Sequence, residues 1–242
     1  ADDEIMPSAT YIDQELQAKT GQVAIDQYIA DNTGRTVELV PEVVGEESHF
    51  VDNGGGDEPA AVEAATQKIY GAAVTDSGLQ GRLFRGTKRL LGDQHVRRLM
   101  VFDQPFRLVA LITPLLLRMR KATEAKIGKF ATAHIGHPVN FEGRDTYRND
   151  LALSRLGEAY KYAGVPNQFF YPEPIAAAAS FVHENQGAAG QYLLTVDFGG
   201  GTLDLCVLKR AATADTQFTV VSTNGIGLGG DHIDQLLYRE LL

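Results

Sequence analysis

Two carboxylates, three glycines and a threonine share one short stretch, Asp197-Phe-Gly199-Gly200-Gly201-Thr202-Leu-Asp204, and these types at this spacing suit a phosphate. Residues without a Cβ let backbone N–H groups approach an anion closely, and a glycine turn can aim several of them at one phosphate. Thr202 adds a hydroxyl donor. Asp197, closing an apolar strand, is placed to hold a hydrated magnesium ion, which keeps several of its waters. The competing reading is a plain tight hairpin between core strands. Three glycines exceed what a two-residue turn needs, and carboxylates at Asp197 and Asp204 in a strand that reads as buried require something to satisfy them.

The flanking runs Tyr192–Asp197 and Leu203–Leu208 read as two strands of a hairpin around the glycines. Phe218–Ser222 reads as a third strand, and the glycine-rich run from Asn224 to Asp234 opens a helix toward Leu242. The strand connections are too short for crossover helices, so an antiparallel meander is expected. Upstream, Ser8–Ile12 and Thr36–Val40 are strand-like, with a helical pattern at Val23, Ile25, Tyr28 and Ile29 between them. An acidic loop over residues 52–59 precedes a helix expected over Ala60–Tyr70. The basic run Arg82–Gly92 reads, on its own, as a solvated helix face. An amphipathic helix is expected over Pro105–Lys121, with Leu108, Leu111, Ile112, Leu115 and Leu116 on one stripe. A strand at Ala131–Ile135 and a helix over Thr146–Tyr162 follow. Ile175–Phe181 reads as a small-residue helix with Pro174 in its first turn. Glu173 stands just ahead of it, where the helix dipole favours a carboxylate.

Composition narrows the function classes. A chain of 242 residues with 44% hydrophobic and 22% charged residues can bury a substantial core. The net charge of -9 argues against nucleic acid or an anionic membrane as a general partner. No apolar run approaches the roughly 20 residues that span a bilayer, so the default compartment is cytoplasmic. The single cysteine, Cys206, lies between Leu205 and Val207 and reads as a core residue. His134 and His137 fall on opposite faces of their strand, which disfavours a shared metal. Gly225, Gly227 and Gly230 satisfy a dinucleotide-binding pattern, but a Rossmann unit needs a parallel strand and a distal acid. No Walker sequence occurs. A second triple glycine, Gly54–Gly56, is flanked by Asp52, Asp57 and Glu58 and would repel phosphate.

Several segments together resemble one family. Asp197-Phe-Gly-Gly-Gly-Thr202-Leu-Asp204 is similar to the second phosphate loop of the superfamily of actin, sugar kinases and DnaK-type chaperones. Tyr171-Pro-Glu173-Pro174-Ile-Ala-Ala-Ala resembles the segment joining the two lobes of that fold. Leu228-Gly-Gly-Asp-His-Ile-Asp234 and Lys88-Arg-Leu-Leu-Gly92 resemble elements of the DnaK-type, seventy-kilodalton heat-shock family. Ile135-Gly-His-Pro138-Val-Asn-Phe141 looks closer to its YegD-like branch.

The resemblance implies an α/β, actin-like (ribonuclease H-like) ATPase fold using ATP/ADP and Mg2+. It implies that Gly199, Gly200, Gly201 and Thr202 hold the β- and γ-phosphates, with Gly229 and Gly230 near the sugar or phosphates. Lys88 would face the γ-phosphate and attacking water. Glu173 and Asp197 would touch magnesium through water, supported by Asp204, so that Lys88, Glu173 and Thr202 carry catalysis. The family's first phosphate loop, expected before Pro7-Ser8, and its adenine-binding segment, expected after Leu242, are absent from this sequence. The expected organisation is a small upper subdomain (1–98), the base of the first lobe with its connecting helix (99–189) and the start of the second lobe (190–242). The implied activity is slow ATP hydrolysis coupled to client proteins or co-chaperones, with the 242-residue piece inactive alone. The alternatives are a non-hydrolysing ATP-binding scaffold and an actin-like filament protein.

Overall fold

The computed structural model describes residues 6–37, 39–51, 63–76, 78–102, 104–141, 147–185, 188–211 and 218–241. Strand β1 (Ala9–Asp13) is the centre of an antiparallel sheet, between β2 (Ala18–Thr20) and β5 (Gly81–Arg85). Helix α1 (Gln22–Asn32) covers it, burying Ala24 against Ala9 and Tyr11. Strands β3 (Leu39–Val51) and β4 (Glu63–Asp76) form a long antiparallel ribbon. Over Glu63–Tyr70 the ribbon stands in place of the helix expected over Ala60–Tyr70: alanines there favour a helix, but pairing with β3 overrides that preference, and residues 60–62 lie outside the described residues. The acidic loop 52–59 lies outside the described residues.

The basic run divides into two elements. Arg82–Arg85 belong to β5, paired with β1, and a 3-10 helix spans Thr87–Gly92 after Gly86, whose φ of 63° makes the corner. The expectation of one helix face is therefore corrected. Strands β6 (Arg98–Val101) and β7 (Gln104–Arg107) make a hairpin that takes up Pro105. Helix α2 (Leu108–Ile127) consequently starts three residues later than its apolar pattern suggests, and it runs past Lys121 to Ile127, capped by Gly128. Leu108, Leu111, Ile112 and Leu116 are buried on its inner face, and Pro114 is carried inside the helix.

Next, β8 (Thr132–His137), α3 (Arg148–Tyr162) and β9 (Asn167–Pro172) form a βαβ unit with parallel strands. The main core lies between α2, α3 and this pair, and includes Leu91, Leu108, Ile112, Ile135, Phe141 and Leu156. His134 stacks on Phe169 and Tyr171 at 5.2 and 5.5 Å, whereas His137 stacks on Phe141 at 6.0 Å, so the two rings occupy opposite faces.

Helix α4 (Glu173–Glu184) begins directly at the end of β9, with a proline in its first turn. It packs Ala178 onto Cys206 and Leu208 of a second sheet. That sheet is the meander β10 (Tyr192–Phe198), β11 (Leu203–Arg210) and β12 (Phe218–Ile226), antiparallel throughout. Helix α5 (Gly230–Leu241) follows. The antiparallel pairing removes the dinucleotide-binding reading of Gly225, Gly227 and Gly230, and Cys206 is buried. Among the described residues, no helix is long and apolar enough to cross a membrane.

Candidate phosphate site

The turn between β10 and β11 is closed by the Gly199 N–H donating to the Thr202 carbonyl at 2.9 Å, with Phe198 and Leu203 as the last cross-strand pair. Behind it stands the loop that starts α5. The Gly230 and Asp231 N–H groups donate to the Gly199 and Gly200 carbonyls at 3.0 and 2.8 Å. This back-to-back seating consumes carbonyls on one side of the turn. Among the described residues, the N–H groups of Gly200, Gly201 and Thr202 make no backbone hydrogen bond, which leaves them as donors for an anion.

These glycines line a cavity of about 320 Å³ together with Thr202, Lys88, Arg89, Glu173 and Asp231. Pro7, Ser8, Arg85, Gly86, Pro138 and Phe141 complete the wall. Lys88 projects from the 3-10 helix and Glu173 from the first turn of α4. They meet with Nζ 2.5 Å from Oε1. Both side chains are partly exposed, so the pair contributes little to stability, about 0–1 kcal/mol. Its importance is placement: a cation and a carboxylate, distant in sequence, share one wall of the cavity.

Gly136 on β8 makes room for this carboxylate, since a Cβ there would stand 2.9 Å from Glu173 Cγ. One residue after Lys88, Arg89 reaches Asp231 with Nη1 3.6 Å from Oδ2, and its stem packs against Gly201.

Asp197 and Asp204 face each other across the β10–β11 ladder. Desolvation, then the charges of Glu173 and Asp204, push the Asp197 carboxyl above the usual carboxylate range, partly offset by Lys88. Asp204 is buried. Its Oδ1 accepts the Val139 N–H at 2.8 Å, while its Oδ2 is buried without a hydrogen-bond partner among the described residues. Asp204 thus ties β11 to the turn after β8. Asn140 Nδ2 reinforces the tie by donating to the Gly225 carbonyl at 3.2 Å.

Among the described residues, no three acidic, histidine or cysteine side chains converge closely enough to hold a metal directly. The facing carboxylates and the orphaned Oδ2 of Asp204 nevertheless fit a cation that is bound through its own water.

Lys88, Glu173, Gly199, Gly200, Gly201 and Thr202 therefore come together on one cavity, with Asp197 and Asp204 beside it on the strands. Gly229 and Gly230 back directly onto the glycine turn: a Cβ at Gly229 would lie 2.5 Å from the Gly200 carbonyl carbon and 2.7 Å from the Gly199 oxygen. Their smallness permits backbone contact with the turn. Sequence reasoning missed Arg89, Asp231 and Gly136. The basic run was the available signal for Arg89, and the other two gain their roles only from tertiary contact.

A sequence model of the family described as Hsp70 protein matches residues 87–242. Heat shock 70 kDa protein BIP3 of Oryza sativa subsp. japonica is 29% identical over 228 residues, covering 92% of this chain and 29% of the relative. The chain thus spans less than a third of the length of that relative.

Proposed function

Since the chain belongs to the Hsp70 family, whose fold is the actin-like ATPase, we propose that its glycine turn grips the phosphate tail of ATP or ADP in a chaperone-like nucleotide-binding domain. The observation that carries this reading is the shared cavity of Lys88, Glu173 and Gly199–Thr202. The N–H groups of Gly200, Gly201 and Thr202 bind the β- and γ-phosphate oxygens, and the Thr202 hydroxyl adds a donor. Lys88 supplies positive charge where the transition state spreads negative charge over the transferred oxygens. Glu173, held beside Lys88, orients the attacking water. Asp197 and Asp204, with Glu173, hold a hydrated Mg2+, whose charge when bound offsets both the carboxylates and the phosphates.

Within this reading, residues 1–98 form a small upper subdomain, 99–189 the base of the first lobe and 190–242 the start of the second. In the full-length protein, hydrolysis drives lobe closure coupled to client proteins or co-chaperones in the cytoplasm.

Isothermal titration of the full-length protein with Mg-ATP tests the reading: binding is expected, and its absence refutes it. Lys88→Ala and Thr202→Ala are expected to lower the hydrolysis rate by about 100-fold or more each, the scale of losing one preorganised donor. Unchanged rates would exclude the roles assigned to both.

A further inference from the structure

Arg155, midway along α3, touches neither the cavity nor Lys88. Its Nη1 donates to the carbonyls of Leu91 and Asp93, at 2.8 and 2.9 Å. Both carbonyls stand at the trailing end of the 3-10 helix, where intrahelical donors run out and partial negative charge gathers. Placing a guanidinium there costs desolvation, and burial is the largest influence on its acidity, lowering its pKa despite nearby Asp93. The carbonyl bonds offset that cost.

The 3-10 helix is short and enters through the left-handed corner at Gly86, closed by the Arg89 N–H donating to the Gly86 carbonyl at 3.0 Å. Lys88 lies one turn ahead of Leu91, roughly 6 Å along the axis at a 3-10 rise of about 2 Å per residue. Leu91 is wholly buried in the main core and fixes where this end of the helix sits. Apolar packing is non-directional and sets rotation poorly, whereas one nitrogen of a planar group bonding two carbonyls sets direction as well as position. A small rotation at the anchored end would swing the ammonium of Lys88 off the cavity wall.

We propose that Arg155 is a positioning residue for the phosphate pocket: from α3 it clamps the carbonyl end of the 3-10 helix so that the leading turn presents Lys88 to Glu173 and the glycine turn. The inference rests on the nucleotide reading for its functional consequence, but the clamp itself can be tested without nucleotide.

The experiment compares the full-length protein with its Arg155→Met and Arg155→Lys variants by amide hydrogen exchange without nucleotide, by thermal unfolding and by Mg-ADP titration. Arg155→Met keeps an apolar stem and removes the donors. It is expected to raise exchange across residues 88–93 roughly fivefold or more, the scale of one lost hydrogen bond, while amides of β10–β12 remain unchanged. Mg-ADP affinity is expected to fall by a similar factor, with Arg155→Lys recovering part of both effects. Unchanged exchange at 88–93, or a rise spread over the whole molecule in proportion to a drop in Tm, would overturn the clamp. Tight Mg-ADP binding that is equal in all three proteins would overturn its role at the pocket. A local exchange increase in a parent chain that binds no nucleotide would support the clamp and count against the nucleotide reading instead.

Discussion

Gly229→Ala tests how the glycine turn keeps its shape. The added methyl would enter the space between two backbones, 2.5 Å from the Gly200 carbonyl carbon and 2.7 Å from the Gly199 oxygen, and neither neighbour is a flexible side chain that could swing away. The loops must part, which breaks the bonds from the Gly230 and Asp231 N–H groups to the turn. Two hydrogen bonds at about 1 kcal/mol each, plus overpacking of about 1–3 kcal/mol, place the cost at roughly 3–5 kcal/mol. In urea denaturation followed by circular dichroism, a slope of about 1–3 kcal/mol per molar turns this into a midpoint lower by about 1–5 M. Gly230→Ala is the matched control. Its nearest atoms would be 3.9 Å away, and it opens a helix, where alanine is favoured. Loss of the buttress should also weaken phosphate binding by Gly229→Ala alone. If the two variants agree in stability to within about 0.5 kcal/mol, the variation expected of an innocuous surface change, the argument that close backbone seating shapes the turn is wrong.

Asp197→Asn is expected to raise Tm at pH 7 while weakening Mg-nucleotide binding. A carboxyl whose folded pKa stands above its unfolded value binds its proton more tightly when folded, so its stabilisation is full below the unfolded pKa and is lost as pH rises through the folded one. The advantage of the asparagine should therefore vanish toward about pH 4, and a Tm gap constant from pH 4 to pH 7 would contradict it. Asp204→Ala leaves the Val139 N–H without its acceptor and should cost about 1–3 kcal/mol in urea denaturation. Gly225→Ala presses on the same carboxylate and on Val139 Cβ at 3.2 Å, so it should destabilise the chain too; if both variants match the parent, the tie between β11 and the turn after β8 is unimportant.

Local chemistry made the second sheet readable. Alternating residues of β10 and β11 declare their period, and three glycines mark the turn between them. Pro174 and Glu173 likewise announce the start of α4, because a missing N–H and a carboxylate both suit a first turn. Reading failed where partners decide. The alanines at 64 and 65 suggest a helix until β3 is laid beside them. Arg82–Arg85 look like a solvated face until β1 pairs with them, and Phe169–Tyr171 show their strand character only beside β8. The glycines at 229 and 230 declared smallness, but not what approached them. For the site, residue types indicated a phosphate, whereas the meeting of Lys88 with Glu173 and of Arg89 with Asp231 depends on the path of the chain through three dimensions.

Those two meetings start from neighbouring residues of a single stiff turn. One arm ends on the helix that follows the parallel strands, the other on the helix that follows the meander. The turn therefore acts as a common axle: tilting it to lengthen one arm alters the reach of the other. Adjacent residues of one 3-10 helix thus join the start of α4 to the start of α5, and the seating of each ion pair bears on the other.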